Sequence, residues 1–493
     1  MAADRREFLL SLGATVVGGS VLSREASAEA LPEALAEPGA AGKKPNVIFM
    51  ICDDLGYGDL GSYGSQIPTP RLDRLAAEGT RCTHHNTPHA ICSASRSAVM
   101  TGRYAARTHT AGAYMPQSKG TSLDETLLPQ MFKASGYTTH AIGKWHLGDV
   151  AGYRPTDRGF DSYLGVAVSD DMQPLPLMRE TTPLDADTDR EELTPRYTEE
   201  ALRVLKEAEG SDKPFYLHLA YSYPHDPARG SKRFKGKSAF GDFGDSVEEI
   251  DWSVGSILDV LGPQRAANTI VIFTSDHGPW FQGSQGMLRG RKGTAFEGGV
   301  RVPFLVKWPG HVPKGHVCER WTGHLDVLPT LAAWCGLKLP ERPLDGYVMN
   351  FRPDAVPEAR KPVVYFSPAG PNNNVHAIRK DDWKLRVAQN DGETYINDHT
   401  QGHEHFWLPK PELYHLRRDP RESYDAADRN PQVVAALLEE LRSVMKTFPA
   451  ETQATFAALQ TKVASVVTPP GASPRVLKGP QADWEYEPAD RKP

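Results

Sequence analysis

Two apolar runs constrain the fold of this chain more than any other feature. Residues 45–52 (PNVIFMIC) carry no charge and lead straight into Asp53 and Asp54; residues 269–275 (TIVIFTS) lead into Asp276, His277 and Gly278. Short uninterrupted runs of β-branched and aromatic residues read as strands buried on both faces, the habit of a parallel sheet covered by helices. Residues 137–142, 213–221 and 301–308 read as further strands. Thr69 and Pro70 open a helix that Gly79 closes, and residues 127–135, 248–261 and 324–334 have helical spacing. Strand followed by helix, repeated, predicts an α/β fold: a large, mostly parallel sheet flanked by helices over residues 44–344. Beyond residue 345 the pattern changes. Residues 363–366, 376–379 and 383–387 read as short strands and 432–448 as a helix, which predicts a smaller C-terminal α+β domain with an antiparallel sheet over 345–467. Residues 468–493 form a tail rich in proline and charge.

The first 28 residues have a different character. Arg5 and Arg6 precede a weakly apolar stretch rich in glycine and alanine, and Ala26, Ser27 and Ala28 offer a small-residue cleavage site. This is the layout of a bacterial export signal of the twin-arginine type, with residues 29–43 as a flexible leader. It predicts a periplasmic or secreted protein that meets the twin-arginine export machinery. No apolar run reaches the roughly 18–20 residues of a membrane span, so no span is expected in the mature protein. Lysine and arginine number 56 against 62 acidic residues, a net charge of −6, which disfavours a nucleic-acid partner. The five cysteines, an odd number, make a disulfide scaffold improbable, although Cys318 and Cys335 could pair.

In open α/β sheets, ligands bind outside the carboxyl ends of the strands. That topology would bring Asp53, Asp54, Lys144, His146, His225, Asp276 and His277 to one crevice. Paired carboxylates are costly without a proton or a cation, and oxygen ligands suit a hard ion such as calcium or magnesium. Asp-Asp-Leu-Gly is equally good turn chemistry, but the repeat of the arrangement at Asp276 and His277 tilts both sites toward metal. Cys92 lies near Arg96, which could lower the thiol pKa; an inert buried cysteine beside a surface arginine is the plainer reading. Of His84, His85, His89 and His109, which cluster near Cys92 in sequence, some could line the pocket while most read as surface or satisfied polar residues, and residues 401–405 (QGHEH) read as a polar loop without metal.

Cys92-Ser93-Ala94-Ser95-Arg96 followed by Thr101-Gly102-Arg103-Tyr104 resembles the signature of the type I sulfatases. The segments 53–58 (DDLGYG), 143–148 (GKWHLG), 224–225 (PH), 275–278 (SDHG), 291–293 (RKG) and 297–303 (EGGVRVP) recur in that family's order, and 412–414 (ELY) with Asp419-Pro420 resembles its C-terminal module. The resemblance covers roughly residues 44–445 and implies an alkaline-phosphatase-like sheet and hydrolysis of sulfate monoesters, in the manner of the arylsulfatase branch. It further implies that a maturation enzyme oxidises Cys92 to formylglycine and that Arg96 holds this residue. Asp53, Asp54, Asp276 and His277, together with residue 92, would bind a divalent metal, calcium being expected. Lys144, His225 and Lys292 would hold sulfate or serve the leaving group, His146 would act as base, and Ser169 would be a further contact. Two departures stand out: Ala94 replaces the commoner proline, and His277 stands where many relatives have asparagine. Imidazole is softer than an amide oxygen, which leaves manganese or zinc open. The alternatives are a phosphonate or phosphate ester hydrolase on the same fold and a non-catalytic binder of sulfated ligands.

Overall fold

The computed structural model describes residues 43–463 except 111, 356–358, 368–372 and 391–403. The expected export signal, all but the last residue of the leader, and the expected tail lie outside the described residues. The larger sheet is built from β1 (Asn46–Cys52), β2 (Thr80–Asn86), β3 (Thr138–Gly143), β4 (Ser162–Gly165), β5 (Leu177–Arg179) and β6 (Thr182–Asp185). It continues with β7 (Phe215–Ala220), β8 (Thr269–Ser275), β9 (Arg301–Lys307), β10 (His316–Cys318) and β11 (Thr322–Gly323). The spatial order is β10-β2-β9-β8-β1-β7-β3-β4-β5-β6, with β11 also on β2. The centre, β8-β1-β7-β3-β4, is parallel throughout.

The apolar runs explain this centre. Every residue of β1 from Val47 to Cys52 is buried, as is all of β7 and β8, so these strands need cover on both faces. On one face lie α1 (Pro70–Glu78), α4 (Leu193–Glu207) and α5 (Gly241–Val260), whose apolar sides share a cluster with Ile48, Met50, Leu217 and Phe273. On the other lie α2 (Cys92–Thr101), α3 (Leu128–Ala134) and α8 (Val327–Cys335), packed with Phe49, Tyr216 and Ile272. The alternation of Val47 and Phe49 with Ile48 and Met50 between the two clusters is the strand period of two. α6 (Gly262–Ala267) and the single-turn α7 (Glu297–Val300) complete this part.

The expected antiparallel sheet is present, in the order β12 (Val363–Ser367), β13 (Asn374–Lys380), β14 (Trp383–Asn390) and β15 (His405–His415). α9 (Pro431–Met445) and α10 (Ala450–Thr461) pack on it.

Several sequence expectations are corrected. β9, read within the strand–helix repeat, runs antiparallel to both β8 and β2. The long connection from β8 to β9 spends its length on the loop that carries Lys292 and holds only the single turn of α7, so no full helix carries the chain back across the sheet as a parallel crossover would. Arg96, placed on the surface by the plainer reading, is buried with the whole of the helix at 92–101, which is held by hydroxyl bonds such as Ser97 to Thr108 (2.9 Å) and Ser95 to the Asp276 carbonyl (2.6 Å). Cys318 does not face Cys335: all five cysteines are free, and Cys318 sits in register beside Cys82 on β10 and β2. His405, assigned to a polar loop, begins β15 buried against His376 at 2.9 Å; residues 401–403 lie outside the described residues. Among the described residues, no helix is long and apolar enough to cross a membrane.

Candidate active site

Because the central strands are parallel, their carboxyl ends open on one edge. β1 delivers Asp53 and Asp54, β8 delivers Asp276 and His277, β3 delivers Lys144 and His146, and β7 leads to His225. The turns there are tight. Gly143, at φ +99°, lets β3 turn into Lys144 with its α-carbon against the Ala220 carbonyl, where an added Cβ would lie 1.8 Å from that oxygen. Asp54 (φ 62°) and His146 (φ 54°) hold left-handed backbone without being glycine, a strain of about 1–3 kcal/mol each that the surrounding packing must hold in place.

Helix α2 points its first turn into this edge. Cys92 is its first residue and Arg96 lies one turn later, so both side chains share a face. Cys92 Sγ is 3.4 Å from Asp53 Oδ1, 3.4 Å from His277 Nε2 and 3.7 Å from Lys144 Nζ. Arg96 donates through Nε to Asp276 Oδ2 at 3.1 Å and through a terminal nitrogen to the Lys144 carbonyl at 3.2 Å. Its other terminal nitrogen is 3.0 Å from Asp276 Oδ2 and 3.6 Å from Asp53. Ala94 donates its N–H to the Gly112 carbonyl at 3.3 Å, a bond that a proline there could not make.

The lysines face the carboxylates. Lys144 donates to Asp53 and, at 2.8 Å, to Ser169 Oγ. Lys292 donates to both Asp54 oxygens at 2.9 Å. His225 lies 3.9 Å from Asp54 through Nε2. His146 donates its Nε2–H to the Tyr114 carbonyl at 2.9 Å, so its Nδ1, which has no partner among the described residues, carries the lone pair. Burial, then Lys144, pushes the His146 pKa down to about 3, so the ring is neutral at ordinary pH. All the site residues read from the sequence therefore meet here, Ser169 included.

The donor set fits a divalent cation. One ligand atom from each of Asp53, Cys92, Asp276 and His277 lies within 4.8 Å of the others, all buried. The decisive atom is His277 Nε2. Its Nδ1–H donates to the Gly278 carbonyl at 2.9 Å, which in the neutral ring leaves an Nε2 lone pair facing Asp54 at 3.4 Å and Asp276 at 3.6 Å. A lone pair held against carboxylates is favourable only with a cation or a proton between them. Burial lowers the His277 pKa, but Asp276 and the other anions around it prevail and push it up to about 9.

The family model described as Sulfatase matches residues 45–337. Human arylsulfatase A is 34% identical over 453 residues, covering 82% of this chain and 88% of that protein. The chain belongs to the sulfatase family. Rat N-acetylgalactosamine-6-sulfatase is 33% identical over 456 residues, covering 80% of this chain and 85% of that protein. The crystal structure of the PsFucS1 sulfatase from Pseudoalteromonas sp. superposes with a TM-score of 0.73 at 26% identity, covering 83% of this chain and 91% of that one. That of Ps i-CgsB in complex with k-i-k-neocarrahexaose gives 0.70 at 28% identity, covering 81% and 92%. The protein is thus a sulfatase, a sulfate ester hydrolase of the arylsulfatase-like branch, and its buried acidic cluster fits the divalent metal of that family.

Sequence reading missed three participants. Asp170 lies 3.0 Å from His225, and Tyr114 receives the His146 bond. His324, given only its place in a helix, donates from Nε2 to the Ser275 and Asp276 carbonyls at 3.0 Å, and its Nδ1 accepts from His85 at 3.0 Å. None belongs to a motif, and only the fold brings them to the strand ends.

Proposed function

We propose that this sulfatase cleaves aryl or sugar sulfate monoesters with residue 92 as the nucleophile in its formylglycine form. The observation that carries the proposal is the placement of the Cys92 side chain between Asp53, His277 and Lys144, within 3.7 Å of all three. The oxidised, hydrated side chain supplies one hydroxyl that takes the sulfuryl group and a second whose deprotonation re-forms the aldehyde and expels sulfate. A divalent ion, proposed as calcium because three carboxylates dominate its ligands Asp53, Asp54, Asp276 and His277, supplies Lewis-acid stabilisation of the sulfate charge.

The chain's own residues divide the remaining work. Three carboxylates meet three permanent cations, Arg96, Lys144 and Lys292, so the protein part is near neutral and any bound divalent cation makes the site attractive to a sulfate ester. Arg96 holds the α2 end against Asp276 and Asp53. Lys144, with Ser169 behind it, and Lys292 bind sulfate oxygens. Lys292 shares its protons with both Asp54 oxygens and serves as a charge; His225, less tightly engaged at Nε2, gives the proton to the leaving oxygen. The unpartnered Nδ1 of neutral His146 takes the proton of the second hydroxyl.

Substrate class draws support from the relatives, named for aryl and N-acetylgalactosamine sulfates, and from the neighbour solved with an oligosaccharide. We further propose that residues 1–28 direct twin-arginine export to the periplasm or beyond, that 44–344 form the catalytic unit, and that 345–467 with the 169–187 segment shape specificity. The test is a panel of nitrophenyl, steroid and sugar sulfates beside nitrophenyl phosphate, with peptide mass spectrometry across residue 92 and elemental analysis. Turnover of sulfates by protein carrying formylglycine and calcium is expected. Phosphate turnover faster by orders of magnitude, or full activity with unmodified Cys92, would refute the proposal.

A further inference from the structure

The loop after β4 places two consecutive residues back to back. Ser169 turns to Lys144 at 2.8 Å, and Asp170 turns to His225, with Oδ1 3.0 Å from Nδ1. Arg190 pins this loop, donating to the Asp170 carbonyl at 2.8 Å and to the Met172 carbonyl at 3.0 Å. Asp170 is wholly buried, and among the described residues no hydrogen bond of standard geometry reaches either of its oxygens or His225 Nδ1, their own 3.0 Å approach included. Burial pushes the Asp170 carboxyl well above the usual range, because a carboxylate out of water without a partner costs several kcal/mol, and a proton or a cation must answer it. Of the basic groups near it, Lys144 is engaged by Asp53 and Ser169, and the His225 ring is the one in contact, with Nδ1 3.0 Å from Oδ1.

We infer that Asp170 is a positioning residue for the proton donor: it accepts the Nδ1–H of His225 and so holds the ring with Nε2 toward the leaving oxygen. The inference rests on the proposed role of His225. In the proton-donating form the ring carries hydrogen on both nitrogens, the one on Nδ1 facing Asp170. When the bond between sulfur and the leaving oxygen breaks, that oxygen keeps the electron pair and takes the Nε2 proton. The sulfuryl group is then on the oxygen of residue 92, and the ring is left neutral with its Nδ1–H still on Asp170. Without Asp170 the neutral ring can take the other tautomer or turn, and the donor is lost although His225 remains.

The distinguishing measurement is the dependence of kcat/KM on the acidity of the leaving group. It uses holoprotein that carries formylglycine, acting on a series of aryl and alkyl sulfates. A 4-nitrophenolate leaving group needs little help from an acid; an alkoxide needs much. Asp170→Asn is expected to lose about tenfold on 4-nitrophenyl sulfate and on the order of 10²–10³-fold on the poorest leaving groups, within the usual range for a general acid. The thermal midpoint and the content of divalent metal should stay unchanged, and His225→Gln should give a similarly steepened plot. A uniform loss in Asp170→Asn beside a steepened plot for His225→Gln overturns the inference and leaves the role of His225 standing. A uniform loss in both variants overturns both. A second equivalent of divalent cation in the wild type that Asp170→Asn loses would make Asp170, Asp171 and His225 a cation site instead. Independently of how the variant folds, nitrogen NMR of the wild-type His225 ring should show a proton on Nδ1; a bare Nδ1 overturns the inference.

Discussion

Cys92 is a residue whose chemistry contradicts its surroundings. It is 2% exposed at the start of a buried helix, where a cysteine would ordinarily be inert packing, yet a lysine, an aspartate and a histidine converge on its sulfur. Cys92→Ala should therefore lower turnover by at least about 10⁴-fold, as loss of a nucleophile does, with a thermal midpoint near that of the wild type. Cys92→Ser separates the two halves of the reaction. A serine hydroxyl can take the sulfuryl group but has no aldehyde to re-form, so one equivalent of alcohol should be released and sulfate should stay on the protein, as intact-mass spectrometry would register.

At the scale of the element, the parallel order of β8-β1-β7-β3-β4 is what turns scattered motifs into a site. Each strand ends on the same edge, and the helices that cover the sheet keep it dry. Helix α4 illustrates how such a cover is held. Its Glu200 lies between Arg179 on β5, with two bonds at 3.0 Å, and Arg203 one turn on at 2.6 Å. Burial raises the Glu200 pKa, but the Arg203 and Arg179 bonds prevail and hold it down at about 2. A carboxyl with a lowered native pKa stabilises the fold above its unfolded value of about 4.3 and loses that contribution as pH falls through the native value. Glu200→Gln should thus be less stable than wild type at pH 6, by about 1–2 kcal/mol because the arginines are partly solvated, and the gap should close between pH 4.5 and about 2. Urea melts of both proteins across that range check the sign: a gap that widens toward acid is the contrary result.

At the scale of the whole molecule, the two sheets are joined by buried charge. Lys384 on β14 lies 3.0 Å from Glu297 of α7 and 3.0 Å from Glu422, and all three are fully buried. Glu297 also pairs with Arg301 at the start of β9. The loop bearing Lys292 runs into α7, so the second sheet anchors a segment that reaches the sulfate site. Lys384→Met leaves two carboxylates with one fewer cation and should cost about 3–5 kcal/mol, read from chemical denaturation. Activity should fall with it, because the Lys292 loop loses its anchor. Removal of the metal acts on the molecule as one unit: a cation held at 100 times its Kd contributes about 2.7 kcal/mol. A chelator should therefore lower the thermal midpoint and activity together, and both should return with calcium. Activity that survives complete removal of the metal would exclude the proposed cation.

Much of this protein is set by local sequence. The buried strands follow from unbroken apolar runs at 45–52 and 269–275, because such runs gain most when both faces are covered, and the polar ends of those runs name the site before any contact is known. The resemblance through residues 92–96 and 143–148 adds chemistry that composition could not, since nothing in a cysteine's neighbours along the chain says that it is to be oxidised. The tertiary structure alone decides the rest. Asp170 and His225 are far apart in the chain, as are Lys384 and Glu297, and their pairing depends on strand order. β9 runs against its neighbours although its apolar pattern is that of a parallel strand, because side-chain burial is blind to direction. Cys82 and Cys318 lie side by side through register, where the sequence leaves a pairing of Cys318 with Cys335 open. Sequence patterns report which face of an element is buried; which elements then meet depends on packing over distances that no local pattern encodes.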